Sequence, residues 1–122
     1  MSQLVTPQLR STNWPRTKAF YADGLGFTVD WEHQFEPGLP TFASLTRDGR
    51  SLFLTEHTGD CQPGGAAYIV VDDVDTLHAE FKSRGVPIAE APEDAPWGGR
   101  EMSIIDPDGN RLRFATTGDA PA

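Results

Sequence analysis

The sequence predicts an α+β fold made of two βαβββ repeats, and three observations carry that prediction. An Asp-Gly turn followed by an alternating strand occurs at Asp48–Leu54 and again, 60 residues later, at Asp108–Phe114. At the same offset Thr12–Asn13 falls on Asp72–Asp73, and each pair precedes a helical stretch. The chain has 122 residues, about twice that offset. We therefore expect one structural unit to occur twice.

The first repeat is expected over about residues 3–57. Asn13 is a good N-cap, Ala19 and Phe20 supply the apolar face of a helix, and Gly26 marks the exit from that helix. Alternating apolar and polar residues predict the surrounding strands. The expected elements are a strand over 3–11, a helix over 14–24, and strands over 27–35, 41–47 and 50–57.

The second repeat is expected over about residues 65–117, after a linker over 58–64 rich in Gly, Pro and Asp. Val74, Leu77 and Phe81 recur at helical spacing, and Gly85 follows them. The expected elements are a strand over 65–72, a helix over 74–84, and strands over 86–90, 99–105 and 111–116. Because each repeat is short, we expect both to form a single domain over 1–122.

The composition limits the class of partner. Acidic residues outnumber basic ones 18 to 10, and the net charge is −8. Nucleic-acid binders use Lys and Arg to displace counterions, so no nucleic-acid partner is expected. The longest apolar run, Ala66–Val71, is too short to span a bilayer, so no membrane partner is expected. Cys61 has no second cysteine, and the N-terminus lacks the features of a signal peptide, which favours a reducing, cytoplasmic setting.

Several motifs point to a known family. Ala19–Tyr21 with Leu25–Phe27 forms the first helix and its exit, and Asp106–Asn110 forms the last turn. With the doubled unit, they resemble the vicinal oxygen chelate superfamily of glyoxalases, dioxygenases and bleomycin resistance proteins. Pro7–Leu9 and Pro96–Glu101 are most similar to the bleomycin-resistance branch. The resemblance implies a curved mixed sheet with helices on the outside, and a homodimer.

The superfamily takes metal ligands from the first and fourth strand of each unit. By position, these sites fall at Thr6 and Phe53 in the first repeat and at Ala66 and Arg113 in the second. Phenylalanine and alanine offer no donor, threonine is a poor one, and an arginine cation repels a metal. We therefore expect no metal at these positions and no cofactor, which favours a binding protein over an enzyme.

Strand alternation predicts which side chains share a face with those positions. If Asp48–Gly49 is a two-residue turn, Ser44 pairs with Phe53 and Phe42 pairs with Thr55. The residues expected on the ligand face are Phe42, Phe53, Thr55, His57, Tyr68 and Arg113. The residues expected on the opposite, core face include Val5, Leu9, Leu52, Leu54, Ala67, Ile69, Val71, Leu112 and Phe114.

Such a face has aromatic walls and a few polar points, which suits a flat organic ligand. Two structural alternatives remain open: the aromatic rings fill the hollow themselves, and Arg113 pairs with Glu101 instead of a ligand. Trp97 and Arg100 lie in a Gly-rich loop that is either a plain turn or, by the resemblance, a lid on the ligand near the dimer seam.

The leading hypothesis is metal-independent sequestration of a bleomycin-type or other aromatic or cationic antibiotic by a homodimer. A carrier for some other natural product is a third possibility beside it. The rival is a lyase, isomerase or dioxygenase with a displaced metal site built from His33, Glu56 and His57. Glu56 and His57 are neighbours on a strand and therefore point to opposite faces.

Overall fold

The chain folds as two successive βαβββ units in the computed structural model, which describes residues 3–117. The predicted α+β class and its two repeats are confirmed. Within the described residues, no helix is long and apolar enough to cross a membrane. The helices are α1 (Trp14–Lys18), continued by a π-helical segment (Ala19–Gly24), and α2 (Val74–Ser83). The strands are β1 (Gln8–Arg10), β2 (Thr28–His33), β3 (Phe42–Arg47), β4 (Arg50–Thr55), β5 (Ala66–Val70), β6 (Glu90–Asp94), β7 (Arg100–Ile105) and β8 (Arg111–Thr116).

The first strand is shorter than predicted, covering 8–10 rather than 3–11. The Gln3 side chain takes the place of a strand backbone beside β4: its Nε2 donates to the Ser51 carbonyl (2.9 Å), and the Ser51 N–H donates to its Oε1 (3.0 Å). Val5, predicted to face the core, is consequently exposed.

The third strand of the second repeat begins later than predicted, at Glu90 rather than at Val86. The Val86 N–H still bonds the Phe81 carbonyl at the end of α2 (3.0 Å), and the Val86 side chain is buried in the core. These residues therefore close the helix before a strand can begin.

Both helices begin at the predicted caps. The Asn13 carboxamide oxygen accepts from the Arg16 N–H (3.1 Å), and Asp73 Oδ1 accepts from the Asp75 and Thr76 N–H groups (3.1 and 3.2 Å). Each cap satisfies backbone donors that the first helical turn leaves free.

The strands form two four-stranded mixed sheets, one per repeat, in the orders β1-β4-β3-β2 and β5-β8-β7-β6. The parallel pair Gln8–Phe53 of the first sheet corresponds, 60 residues later, to Tyr68–Arg113 of the second. The sequence offset is therefore also the structural offset of these strands.

The hairpin between β3 and β4 fixes the face on which each of their side chains lies. Arg47 pairs with Arg50, so Asp48–Gly49 is a two-residue turn, and its φ values of 48° and 78° are those of the turn type that matches the twist of hairpin strands. The predicted pairs Ser44–Phe53 and Phe42–Thr55 are confirmed.

The core-facing sides of both sheets and the two helices share one hydrophobic cluster. Consequently, the opposite sides of the sheets are available for a ligand. The cluster includes Leu9, Tyr21, Leu45, Leu52 and Leu54 from the first repeat and Ile69, Leu77, Phe81, Ile104, Leu112 and Phe114 from the second.

A buried carboxylate in the β7–β8 turn joins the two repeats. Asp106 Oδ2 accepts from the Tyr21 hydroxyl (2.6 Å) and from Asn110 Nδ2 (2.9 Å), and Asp106 Oδ1 accepts from the Asp108 and Asn110 N–H groups. Burial, with the nearby Asp106 charge, raises the pKa of Tyr21 well above its usual 10.0.

We expect stability to fall steeply above about pH 10, and Tyr21→Phe to flatten this alkaline limb. Below that pH both states hold the Tyr21 proton; above it the unfolded chain loses the proton first, so folding is progressively disfavoured. Urea unfolding at several pH values measures the effect, with Tyr68→Phe as the control. An alkaline limb equally steep in Tyr21→Phe and in the unmodified chain would contradict it.

Candidate functional site

Three stacked aromatic rings occupy the ligand face of the first sheet, and we call them the aromatic triad: Trp31, Phe42 and Phe53. Trp31 and Phe42 are nearly parallel, with ring centroids 5.7 Å apart and an interplanar angle of 14°. Phe53 contacts both rings, with centroids 5.0 Å from Phe42 and 5.8 Å from Trp31. Trp31 is 46% exposed, so the triad offers an open apolar surface.

A β-bulge places Trp31 on this face. Val29 pairs with the core residue Leu45, and strict alternation would therefore turn Trp31 towards the core as well. Instead, Asp30 is the extra residue, and Trp31 pairs with Ser44. The Asp30 carboxylate stabilises the bulge by accepting from the Ser44 hydroxyl (3.0 Å). Sequence reasoning placed Trp31 beside His33 but did not include it among the ligand-binding residues.

Thr55 and His57 extend this face beyond the triad. Thr55 is fully buried; its hydroxyl donates to Asp60 Oδ2 (2.7 Å) and accepts from the His57 N–H (3.1 Å). The His57 ring meets the edge of Phe35, which also packs edge-on against His33 (centroids 6.2 and 4.8 Å).

The structure does not assemble the displaced metal site that sequence reasoning considered. His33 and His57 lie on either side of Phe35, but the Glu56 carboxylate accepts from the Trp14 and Thr41 N–H groups (2.9 and 2.8 Å). Over residues 3–117, no group of three or more His, Cys, Asp or Glu side chains is arranged to hold a metal ion.

The family's four metal positions do not fit a metal ion either. Phe53 belongs to the aromatic triad, Ala66 has no donor atom, and the Arg113 guanidinium is itself a cation. Thr6 lies just before β1 and is the only potential donor among the four.

A polar group on the second sheet, the Glu101 cluster, gathers Tyr68, Trp97 and Arg113 around one carboxylate. The Tyr68 hydroxyl and the Trp97 indole N–H donate to Glu101 Oε2 (2.7 and 3.1 Å), and Arg113 Nε lies 3.7 Å from Glu101 Oε1. The ion pair is the structural alternative considered for Arg113. Tyr68 and Trp97 are 50% and 58% exposed, so their ring faces remain accessible.

Two concavities adjoin the Glu101 cluster. One, of about 190 Å³, lies between β6 and Trp97 and includes the carboxylates of Glu90, Glu93 and Asp94 in its lining. The other, of about 340 Å³, lies over Ala66 and is bounded by Tyr68, Arg111 and Arg113. An acidic wall beside an indole suits a cationic substituent.

Arg100 is tied to its own chain. Its Nε lies 3.0 Å from Asp75 Oδ2 on α2, and its Nη1 lies 3.1 Å from Asp94 Oδ1 on β6. It therefore joins α2 to the strand that precedes the Trp97 loop.

The two faces carry different chemistry at equivalent positions. Phe42 and Phe53 of the first sheet correspond to Glu101 and Arg113 of the second, because each set pairs with the same register positions on β4 and β8. Tyr68 was predicted to share a wall with Phe42 and Phe53. In the described residues no aromatic pair joins it to them, and it contacts Glu101 instead.

Glu101→Gln is expected to return the pKa of Tyr68 towards 10, because the hydrogen bond to the Glu101 carboxylate is the main cause that raises this pKa. In a Tyr21→Phe background Tyr68 is the sole tyrosine, so ultraviolet titration reports it alone. Glu93→Gln, which neutralises a nearby acid without this bond, is the control. An unchanged titration in Glu101→Gln would show that the bond is absent in solution.

Comparison with known proteins identifies relatives of this fold. A family model described as "Glyoxalase superfamily protein" matches residues 1–120. A bleomycin resistance protein from Klebsiella pneumoniae is 30% identical, over 93% of this chain and 92% of the relative. The crystal structure of a bleomycin resistance determinant encoded on the transposon Tn5 is 28% identical, with a TM-score of 0.78 over 95% of this chain and 98% of the other.

A second solved structure, of a bleomycin-binding protein complexed with bleomycin, is 27% identical, with a TM-score of 0.78 over 96% of this chain and 100% of the other. The resemblance inferred from the sequence motifs is thereby confirmed. Because the family match extends over nearly the whole chain and the curated relative aligns almost end to end, this chain belongs to the glyoxalase superfamily, in its bleomycin-resistance branch.

Proposed function

We propose that this protein binds and sequesters an antibiotic of the bleomycin type, or another aromatic and cationic compound, without metal and without chemical change. The observation that carries the proposal is the aromatic triad, an exposed stack that a flat ring system can extend. The bleomycin-binding relative supports the ligand class.

The second sheet supplies the polar part of the proposed site. Trp97, beside Glu93 and Asp94, offers a ring and negative charge to a cationic substituent, and the net charge of −8 favours the approach of cations. We assign the ligand contacts to the aromatic triad, His57, Tyr68, Trp97 and Arg113, with Thr55 and Arg100 positioning their neighbours.

A homodimer follows from the openness of both faces. A ligand on either sheet of one chain would be covered on one side only, whereas small-molecule sites bury most of the ligand surface. We propose that the first sheet of one copy faces the second sheet of another. Light scattering on the eluting protein is expected to give twice the 13.3 kDa chain mass; a monomer with undiminished ligand binding would exclude this arrangement. The single cysteine is consistent with a cytoplasmic setting.

Calorimetric titration of the untagged protein with metal-free bleomycin tests the function. Saturable heat and a raised melting temperature are expected, in the presence of a chelator as well as in its absence. No heat and no change in melting temperature at high micromolar ligand would overturn the proposal. Binding abolished by the chelator would overturn its metal independence alone.

A further inference from the structure

One arginine in this acidic protein lacks a counter-charge. Within residues 3–117 Arg10 has no carboxylate oxygen within 4.0 Å, although acids outnumber bases 18 to 10. Two of its guanidinium nitrogens, Nε and Nη1, are buried without any hydrogen-bond acceptor. Every other arginine forms an ion pair: Arg16, Arg47, Arg50, Arg84, Arg100, Arg111 and Arg113.

The groups around Arg10 are already occupied. Its strand partner Thr55 donates its hydroxyl to Asp60, and the same oxygen accepts from the His57 N–H. The Arg10 charge acts on the Cys61 thiol, opposing the burial that raises the pKa of that group, so the guanidinium lies near the loop after β4. A guanidinium removed from water and left unpaired is costly, and an incoming anion would relieve that cost.

Arg10 lies in the same row of the sheet as the aromatic triad. Arg10 on β1 and Phe42 on β3 both pair with Thr55 on the strand between them. Neighbouring strands are about 4.8 Å apart, so the Arg10 and Phe42 backbones are about 10 Å apart. Phe53 is two residues from Thr55 along β4, on the same face and about 7 Å away. A ring system on the triad therefore lies within reach of the long Arg10 side chain.

We propose that Arg10 binds a carboxylate carried by the ligand whose ring stacks on the aromatic triad. The inference rests on the proposed function and narrows its ligand class: the compound carries an acid at the first sheet and, where the acidic wall near Trp97 takes part, a base at the second. Arginine suits the acid because its planar, permanently charged group matches carboxylate geometry.

The test compares 2-naphthoate with 2-naphthamide, two flat probes of similar size that differ in charge, by quenching of tryptophan fluorescence. The unmodified protein is expected to bind the acid about tenfold more tightly than the amide. In Arg10→Met that preference should disappear while amide affinity stays unchanged. Arg84→Met, which removes an equal charge from an exposed ion pair on the other repeat, should keep the preference.

The outcomes separate this inference from the function on which it rests. Equal affinity for acid and amide in the unmodified protein overturns the role of Arg10 and leaves ring binding intact. Failure of both probes to bind overturns the aromatic triad as a site for flat rings, and the Arg10 inference with it. Without ligand, Arg10→Met should melt no lower than the unmodified protein, because it removes unpaired buried donors; a clearly lower melting temperature would show that Arg10 is already satisfied. Arg10→Gln provides the same acid-to-amide comparison if Arg10→Met does not fold.

Discussion

Trp31→Ala is expected to weaken bleomycin binding by about tenfold to a hundredfold, the loss typical of a central aromatic anchor. Trp31 is the most exposed member of the aromatic triad, and its ring is nearly parallel to Phe42, so a ligand ring continues the stack on the indole. Truncation removes that surface without emptying the buried core, so stability should change by less than about 1 kcal/mol. Calorimetry of the folded variant measures the effect.

Two comparison variants make the result specific. Trp31→Phe keeps a ring and should retain most of the affinity, with a loss of about threefold. Leu4→Ala removes an exposed apolar side chain outside both ligand faces and should leave the affinity unchanged. If Trp31→Ala binds bleomycin as tightly as Leu4→Ala does, the aromatic triad is not the ligand surface.

The case of Trp31 also shows where sequence reasoning ends. The Phe42 and Phe53 positions were predictable because an Asp-Gly turn has one favoured geometry, and that geometry sets the register of β3 and β4. Trp31 was not, because the bulge at Asp30 depends on the Ser44 and Thr46 hydroxyls, which come from another strand. Alternation alone places Trp31 with Val29.

Tyr68 illustrates a second limit. Its place on β5 and its outward face follow from the repeat, but the chemistry it meets depends on which side chains the repeats exchanged. The second repeat has Glu101 and Arg113 where the first has Phe42 and Phe53, so Tyr68 joins a hydrogen-bonded group rather than an aromatic wall. The Arg113–Glu101 contact was open to prediction because both residues were known to lie on neighbouring strands, although its competition with a ligand was not.

The same divergence explains how one fold unit serves two purposes. Equivalent strands give each sheet a core face that closes the shared interior, and this requirement is met with apolar residues in both repeats. The outer faces carry no such requirement, so one has become apolar and aromatic and the other charged. A ligand with a flat ring and polar substituents is complementary to both together, which neither sheet is alone.

Asp106→Ala is expected to cost roughly 3 kcal/mol or more of unfolding free energy, since it leaves several buried donors unpaired at once. The side chain is almost fully buried, and the substitution strands the Tyr21 hydroxyl in the first repeat and the Asn110 amide in the second. For a domain of this size that loss lowers the melting temperature by about 10 °C or more. Urea unfolding measures it, and Asp94→Ala is the matched control, because it deletes an exposed carboxylate paired only with Arg100 and should cost less than about 1 kcal/mol.

Because Asp106 contacts both repeats, its loss should weaken them together, and unfolding should remain a single transition in the variant. Two separated transitions would mean that the repeats are held together elsewhere, with the Arg47–Glu80 ion pair between β3 and α2 as the next contact to remove. Equal losses in Asp106→Ala and Asp94→Ala would show that water replaces the carboxylate in the turn. The predicted inequality arises because a charge-assisted network shut away from solvent has no substitute acceptor, whereas an exposed ion pair exchanges its partner for water at little cost.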